Sequence, residues 1–268
     1  MLFSDSHTHS VFSFDGHDGI PELLSAAEKA GLASIAVTDH CDIDCELKGF
    51  YPPLDRAARA KAIEEAKKAG SPVELCSGIE LGQPHLCPDE AKRILSEGKY
   101  DFVLGSVHNL EGVPDFFMLD YGKIPMPEIN DLYARAIEDM CKVAAFPGIN
   151  AIAHITYPCR YAAGYGIKID FTPFYDRFRV LFEVMKSNGV ALELNVSGLR
   201  KGGDIMPTAD ILRLYRESGG EYVTCGSDAH TAADIGRNIA DGYGILRDCG
   251  FGWVLRPTSK GLVPEKLV

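Results

Sequence analysis

Long apolar runs and clusters of basic residues are both missing from this sequence of 268 residues. Since a bilayer-spanning helix needs about 20 apolar residues in succession, no membrane partner is expected. Lysine and arginine number 27 against 38 acidic residues, giving a formal net charge of −11. Without a basic patch, no nucleic-acid partner is expected either. The N-terminus has neither a basic nor an apolar segment, so no secretory signal is expected and the predicted location is cytoplasmic.

Paired cysteine motifs are missing too. The eight cysteines are irregularly spaced, which predicts reduced thiols rather than a disulfide framework. Cys41 and Cys45 follow His40 closely, but no second cysteine pair completes a zinc knuckle. Internal repeats, low-complexity tracts and linkers rich in proline or serine are also absent. Residues 1–268 are therefore predicted to form a single domain, and this length is enough for one large α/β core.

Short runs of Val, Ile, Leu and Ala alternate with amphipathic stretches along the chain. The runs predict strands at 2–6, 34–38, 73–81, 102–107, 150–155, 190–196 and 222–226. The stretches predict helices at 20–30, 54–69, 89–97, 127–145, 173–188, 208–218 and 233–249. The tail at 251–268 is expected to add a short closing strand. This alternation predicts an α/β fold with a parallel sheet, and seven units fit a closed barrel better than an open sheet.

Six of the eight histidines lie where predicted strands end, and carboxylates accompany several of them. They occur in the motifs Ser-His-Thr-His, Thr-Asp-His, Gly-Ile-Glu, Ser-Val-His, Ala-His and Ser-Asp-Ala-His. The residues are His7, His9, His40, Glu80, His108, His154, Asp228 and His230. In a parallel barrel the carboxyl ends of all strands meet at one rim. The sequence therefore predicts a metal site at the C-terminal ends of the strands.

Imidazole and carboxylate groups are ligands that suit Zn²⁺, Mn²⁺ or iron. His7 and His9 are two residues apart, which puts both side chains on one face of a strand, and Asp228 and His230 repeat that spacing. Asp15, in an Asp-Gly turn, is either a turn residue or a further ligand. This many donors exceeds the need of one tetrahedral ion, so two to three divalent ions are predicted. Closely spaced ions are typical of phosphoryl chemistry.

Three long loops, at 41–53, 109–126 and 156–172, follow ligand-bearing strands. They are predicted to form the walls of a substrate pocket. Arg160 and Arg200 each follow a strand end by a few residues. Because guanidinium groups match phosphate oxygens, both are predicted to bind the substrate's phosphate.

Four other polar residues lie near the predicted ligands in the sequence. His17 is a candidate substrate contact. His85 belongs either to the rim or, in the favoured interpretation, to a surface loop. Asp5 and Asp39 adjoin predicted ligands, so they either orient imidazole rings or serve a structural purpose.

The ordered motifs, from residue 4 to residue 231, resemble those of the PHP (polymerase and histidinol phosphatase) superfamily. The resemblance implies a distorted (β/α)7 barrel with a trinuclear site. Position 15 varies within the superfamily: a sister branch carries His there, whereas histidinol-phosphatase members carry Asp. The implied ligand sets are His7, His9, Glu80 and Asp228 for one ion, Glu80, His108 and His154 for a second, and Asp15, His40 and His230 for a third.

Asp15, the stand-alone length and the loops with Tyr157-Pro-Cys-Arg160 and Gly198-Leu-Arg200 resemble the histidinol-phosphate phosphatase branch. The expected function is hydrolysis of a small phosphorylated substrate, L-histidinol phosphate, in histidine biosynthesis. A metal-bridging hydroxide is the expected nucleophile. The predicted catalytic residues are Glu80, Asp228 and His230, and the predicted substrate contacts are Arg160, Arg200 and His17. The group that protonates the leaving alkoxide and the oligomeric state are left open.

Three alternatives accompany this expectation. The first is a PHP phosphoesterase that acts on another small phosphate ester or on a nucleotide. The second is a non-catalytic PHP metal-binding module. The third is an amidohydrolase, because that class also opens with His-x-His; it commonly uses a carboxylated lysine on a middle strand, where this sequence has Glu80 and His108 instead.

Overall fold

The computed structural model describes residues 1–268, apart from the side chain of Lys201. The strands of the described chain are β1 (Ser4–Thr8), β2 (Ser34–Val37), β3 (His40–Asp42), β4 (Glu74–Gly82), β5 (Phe102–Ser106), β6 (Ala151–Ile152), β7 (Ala191–Asn195), β8 (Val223–Gly226), β9 (Trp253–Thr258) and β10 (Gly261–Lys266). The helices are α1 (Ile20–Lys29), α2 (Ile43–Leu47), α3 (Arg56–Ala69), α4 (Pro88–Glu97), α5 (Met126–Ala144), α6 (Tyr157–Gly164), α7 (Tyr175–Asn188), α8 (Ala209–Glu217) and α9 (Ile239–Asp248).

The central sheet is parallel and nearly closed. Its strands pair in the order β1-β2-β4-β5-β6-β7-β8, and the short β3 pairs with β4. At the seam between β8 and β1, the Asp228 N–H donates to the His7 carbonyl and the His9 N–H donates to the Ala229 carbonyl, both at 2.8 Å. The predicted seven-unit α/β barrel is therefore confirmed.

Strand residues alternate between a helix-facing layer and the barrel interior. Ile35 and Val37 pack outward with α1 and α3, whereas Ala36 faces inward. The interior below the rim is filled by apolar side chains, most of them small. These are Ala36, Cys76, Phe102, Leu104, Ala151, Ala153 and Ala191. A packed interior, rather than a pore, is the normal state of such barrels.

An irregularity in β1 decides which way its histidines point. Asp5 pairs with Ile35 and Thr8 pairs with Val37, so β1 uses three steps where β2 uses two. This extra residue is a bulge, and it shifts the side-chain alternation by one position. Because Ile35 and Val37 face the helices, Asp5 and Thr8 face outward as well. Residues 7 and 9 are left facing inward, toward the rim of the barrel interior.

Two of the predicted pocket loops contain regular structure. The segment 41–53 holds part of β3 and all of α2, and the segment 156–172 holds α6. Both helices are short, α6 spanning 8 residues, so they leave too little periodicity in the sequence to be recognised. In α6 the proline after Tyr157 fits the first turn, where a missing N–H costs nothing.

Several predicted boundaries also change. The strand predicted at 150–155 is limited to β6, because His154 has a φ of 24° that no strand tolerates. The helix predicted at 233–249 begins only at Ile239, after Asn238 with a φ of 63°. The tail forms a hairpin of β9 and β10 rather than one closing strand.

Two further features of the described chain concern its helices and its cysteines. No helix in the described chain combines the length and apolar character that a membrane span requires. The cysteines are free thiols throughout the described residues, as predicted.

Candidate active site

The predicted ligands of β1, β4 and β8 meet at the carboxyl end of the barrel. The Nε2 atoms of His7 and His9 lie 3.3 and 3.6 Å from Glu80 Oε2. The same two atoms lie 3.8 and 3.4 Å from Asp228 Oδ1, just beyond β8. Four side chains that are distant in sequence thus surround one small volume.

The other carboxylate oxygen of Glu80 faces a different pair of imidazoles. Glu80 Oε1 lies 3.1 Å from His108 Nε2 and 2.9 Å from His154 Nε2. One oxygen of Glu80 is therefore directed to each set of histidines, as a bridging carboxylate requires. His40 joins the first side, because its Nδ1 lies 2.9 Å from Glu80 Oε2.

A third group lies nearer the solvent. His230 Nε2 is 3.2 Å and His40 Nε2 is 3.8 Å from the Asp15 carboxylate. The rings of His40 and His230 both stack on His9, with centroids 4.3 and 4.1 Å away. The structure thus brings all nine predicted ligands to one rim. Which of them bind an ion stays a prediction.

Glu193 holds two of the histidines from behind. Its Oε1 is 2.7 Å from His7 Nδ1, and its Oε2 accepts a 2.8 Å hydrogen bond from the His154 backbone N–H. The neighbouring strand leaves room for it at Gly226, where an added Cβ would lie 2.6 Å from Glu193 Oε1 and 2.4 Å from His7 Cβ. Sequence reasoning missed Glu193. The available signal was an acidic residue inside a run of buried apolar residues.

Asp42 and Ser13 orient two further rings. Asp42 Oδ1 lies 2.7 Å from His108 Nδ1, and Ser13 Oγ lies 3.1 Å from His9 Nδ1. Ser13 in turn donates to Asp39. Asp39 therefore reaches an imidazole only through Ser13, and it also pairs with the Arg59 guanidinium at 2.5 Å, so both of its predicted roles stay predictions. Partners of this kind fix the ring orientation and select the nitrogen that carries the proton.

Three other residues of interest lie apart from the cluster. Asp5 accepts hydrogen bonds from the N–H and hydroxyl of Ser227, so it holds the barrel seam rather than an imidazole. His17 is exposed, and its backbone N–H donates to the His230 carbonyl. His85 Nε2 lies 3.2 Å from an Asp139 oxygen on α5.

The buried cluster shifts the protonation of its members strongly. Burial raises the pKa of Glu80, but His7 and the neighbouring imidazoles outweigh this and hold its pKa well below the usual range. Burial and the facing imidazole of His230 lower the pKa of His9 to about 3. For His40, burial lowers the pKa, but Glu80 reverses the shift and raises it to about 9. The site therefore combines ionised carboxylates with imidazoles of unequal basicity.

The inner atoms of the cluster suit divalent ions. Among the described residues, His7 Nε2, His9 Nε2, His40 Nδ1 and Glu80 Oε2 are buried without a well-formed hydrogen bond. Buried polar atoms normally have a partner, so a convergent unpaired set indicates a missing one. Nitrogen and carboxylate oxygen are the donors that Zn²⁺, Mn²⁺ and Fe²⁺ accept.

A cavity of about 240 Å³ lies over the cluster. Arg160 donates to Ser197 Oγ at 3.1 Å, and its Nη1 lies 3.7 Å from Asp228 Oδ2. Arg200 donates to the carbonyls of Ser227 and Asp228. The cavity is lined by Asp15, His40, His108, His154, Tyr157, Arg160, Tyr161, Arg200, Asp228 and His230. Both predicted phosphate contacts therefore line it, whereas His17 is not one of the lining residues.

A second cavity, of about 1390 Å³, adjoins the first. Arg160 and Tyr161 line both cavities, so they stand at the boundary between them. The larger cavity runs between α6, the segment that follows it and the start of α8. Aromatic and acidic side chains contribute to its lining, among them Phe171, Tyr175 and Asp204.

Comparison with known proteins places the chain in a family. The PHP domain model matches residues 5–197. A protein of Clostridium acetobutylicum named "Probable histidinol-phosphatase" is 30% identical over 250 residues, which cover 93% of this chain and 94% of that protein. A protein of Thermotoga maritima with the same name is 29% identical, over 98% of this chain and 99% of its own length.

A solved structure shares the fold. It is the histidinol phosphate phosphatase of Lactococcus lactis, determined in complex with zinc, L-histidinol and phosphate. It superposes with a TM-score of 0.76 over 97% of this chain and 98% of its own chain, at 20% sequence identity. The PHP form of the barrel is therefore confirmed for this chain.

Proposed function

The chain belongs to the PHP domain family, and we propose that it is a metal-dependent phosphomonoesterase whose substrate is L-histidinol phosphate. One observation carries the proposal: the Glu80 carboxylate lies between two sets of imidazoles beneath a cavity lined by two arginines. The names of the full-length relatives support the choice of substrate. We also propose that residues 1–268 act as one domain.

Two to three divalent ions would occupy the cluster. The residues that would hold them are His7, His9, Asp15, His40, Glu80, His108, His154, Asp228 and His230. When bound, such ions polarise phosphate oxygens and lower the pKa of water, so that a hydroxide nucleophile exists at neutral pH. The chain's own part is to present ionised carboxylates and oriented rings, which Glu193, Asp42 and Ser13 secure from behind.

The two arginines would act differently on the phosphate. Arg160 has a side chain that is 30% exposed, and its guanidinium lies at the cavity beside Asp228. Its Nη1 donates to Ser197 Oγ, and its other N–H groups would donate to a phosphate oxygen. Arg200 is 13% exposed and already donates to the carbonyls of Ser227 and Asp228. It would keep Asp228 in place while its remaining N–H groups face the substrate.

The group esterified to phosphate would lie in the larger cavity. A phosphate seated over the cluster has Arg160 and Tyr161 on one side, and the larger cavity begins there. The aromatic and acidic lining suits a flat ring and a cationic amino group, and L-histidinol has both. This feature favours histidinol phosphate over an ester of an anionic alcohol.

The proposal is tested by a phosphatase assay of the purified protein with added Mn²⁺, Zn²⁺ or Fe²⁺. The panel contains histidinol phosphate, a mononucleotide and neutral alkyl phosphates. We expect the highest kcat/KM with histidinol phosphate and loss of turnover with a chelator. Preference for the mononucleotide would overturn the proposed substrate but leave the proposed metal-dependent phosphatase activity in place. Absence of turnover on every ester and metal would favour a non-catalytic binding module.

A further inference from the structure

A buried carboxylate beside the proposed site has no part in the ligand set. Asp115 lies between β5 and α5 and is 5% exposed. Its Oδ2 accepts a 3.0 Å hydrogen bond from the Tyr51 hydroxyl, and its Oδ1 accepts one of 3.2 Å from the Tyr157 hydroxyl. Oδ1 also accepts from the Phe117 backbone N–H at 3.1 Å. Tyr51 lies in the loop after α2, Tyr157 begins α6, and Phe117 belongs to the turn that follows Asp115.

One of the two tyrosines, Tyr157, lies next to the histidines. The Tyr157 ring lies with its centroid 5.0 Å from that of His108 and 4.9 Å from that of His154. Tyr157 lines the small cavity. Tyr157, Tyr51 and Phe14 are together called the aromatic wall below.

Phe14 links Tyr51 to His40. Its ring stacks on Tyr51 with centroids 4.2 Å apart and an interplanar angle of 12°. It also stacks on His40, at 5.2 Å. Phe14 is adjacent to Asp15 in sequence and is partly exposed to solvent. The aromatic wall therefore connects the loops after β1 and β3 with α6, and Asp115 joins its two hydroxyl groups.

A structural role alone does not account for a carboxylate at this position. Asp115 precedes the short turn Phe116–Met118 and caps it through the Phe117 N–H, which a serine or asparagine would do as well. Burial of a carboxylate costs free energy that hydrogen bonds must offset. Both tyrosine hydroxyls supply such bonds, and both belong to the aromatic wall. The wall also reaches the larger cavity, because the Tyr157 ring lies 5.0 Å from that of Tyr161, which lines both cavities. Phe117, whose N–H donates to Asp115, lines the larger cavity as well.

We propose that Asp115 is a positioning residue that sets the place of the aromatic wall, and thereby the fit of the ester's organic group. This inference rests on the proposed phosphatase function. Asp115 would not touch the phosphate, which lies over the histidines and beside the arginines. Loss of its hydrogen bonds would loosen the wall and leave the ligand cluster intact. Affinity for the ester would fall, while affinity for inorganic phosphate would not.

The test compares Asp115→Asn, Tyr51→Phe and Tyr157→Phe with the wild-type holoenzyme. We expect KM for the best ester to rise about tenfold, kcat to change by less than about twofold, and the inhibition constant of inorganic phosphate to stay constant. Adding Asp115→Asn to the Tyr51→Phe/Tyr157→Phe pair should raise KM little further, because the three changes remove the same hydrogen bonds.

Two matched variants serve as controls. Tyr215→Phe removes a hydroxyl that donates to the Tyr222 carbonyl near the start of β8, at the other end of the barrel. Asp139→Asn changes a buried carboxylate on α5 that pairs with Lys142. Neither should change KM, and the loss of thermal stability in both is compared with that of the three test variants.

The outcomes separate the two proposals. If the variants lose thermal stability but keep the wild-type KM, Asp115 is only a structural cap and the inference is wrong. An equal rise in KM and in the phosphate inhibition constant would place the effect on the ligand cluster instead, and would also overturn it. If Asp115→Asn does not fold, the two tyrosine variants decide. Preference for a different ester would overturn only the proposed substrate. Absence of turnover on every ester would overturn both the proposed phosphatase function and the proposed role of Asp115.

Discussion

The two ends of the barrel are built from the same strands, but one end is lined by polar and charged side chains and the other by apolar ones. The carboxyl end holds imidazoles and carboxylates, and two of its residues, His154 and Asp228, have positive φ angles of 24° and 54°. The amino end holds alanines, Phe102 and Leu104 in an apolar cluster. Strained backbone and buried charge both cost free energy. The carboxyl end is therefore organised for chemistry, and its cost in stability is offset by the packing of the amino end.

The hairpin of β9 and β10 reinforces the amino end. Leu255 and Leu262 pack against the apolar cluster in the barrel interior. The Ser34 hydroxyl donates to the Pro257 carbonyl at 3.0 Å, and Arg256 lies 3.3 Å from Glu74 at the start of β4. β4 thus has one glutamate at each end, Glu74 at the hairpin and Glu80 at the site. Substituting each of the two glutamates in turn tests whether the carboxyl end serves chemistry and the amino end serves stability.

The largest effect is expected for Glu80→Gln. The amide keeps the shape of the side chain but removes the charge that faces both sets of imidazoles. We expect kcat/KM to fall by about 1,000-fold or more, together with the metal content. Elemental analysis should give two to three equivalents for the wild type and fewer for the variant. Near-normal turnover and metal content in a folded variant would show that Glu80 is not the bridging ligand.

Phe102→Ala should lower stability but leave turnover nearly unchanged, which is the converse of the result expected for Glu80→Gln. Phe102 is fully buried in the apolar cluster, so its truncation should cost about 3–5 kcal/mol in the free energy of unfolding. Denaturant titration measures this cost. Because the ring lies below the site, kcat of the folded protein should stay within about twofold. A large fall in kcat without loss of stability would contradict the division between the two ends.

The arginines should show intermediate effects that differ from each other. Arg160→Ala should lower kcat/KM by about 10- to 1,000-fold, as expected for one lost charge-assisted contact, with an unchanged melting temperature. Arg200→Ala should lower the melting temperature as well, because it releases the carbonyls of Ser227 and Asp228. Full activity in both variants would mean that neither holds the phosphate.

The smallest effect is expected for Glu74→Gln, which is also the matched control for Glu80→Gln. Burial raises the pKa of Glu74, but hydrogen bonds from Ser259 and Arg256 outweigh it and lower the pKa. Its stabilising contribution is therefore present above the ordinary carboxyl pKa and is lost as the pH falls through the lowered value. Since the group is partly exposed, the loss should be below about 1 kcal/mol. Stability curves of the two proteins should converge in acid, and turnover should not change.

Much of the barrel could be predicted because its strands carry their own signals. Apolar runs that end in His, Asp or Glu mark both a strand and its carboxyl end, so the rim follows from the fold class. Short elements gave no such signal. The β3 and α2 segments follow His40 directly, and their few residues show no periodicity. Asp42 lies there, and its link to His108 depends on a pairing that the sequence does not display.

The orientation of the β1 histidines illustrates a second limit. The spacing of His7 and His9 predicts a shared face but not which face it is. That choice depends on the bulge between Asp5 and Thr8, and therefore on the register with β2. Register is a property of the assembled sheet. Glu193 is a similar case, because its partners His7 and His154 come from distant segments.

The seam between β8 and β1 has a consequence for how the barrel would open. In the described residues its upper part is joined by the bonds at His7 and His9 and by the Asp5 carboxylate. Two of the site's residues, His7 and His9, lie on one side of this seam, and Asp228 and His230 lie on the other. A group bound by both pairs of side chains would therefore link the first strand to the last. Amide protons along these two strands would then exchange with heavy water more slowly in the loaded protein than in the stripped one.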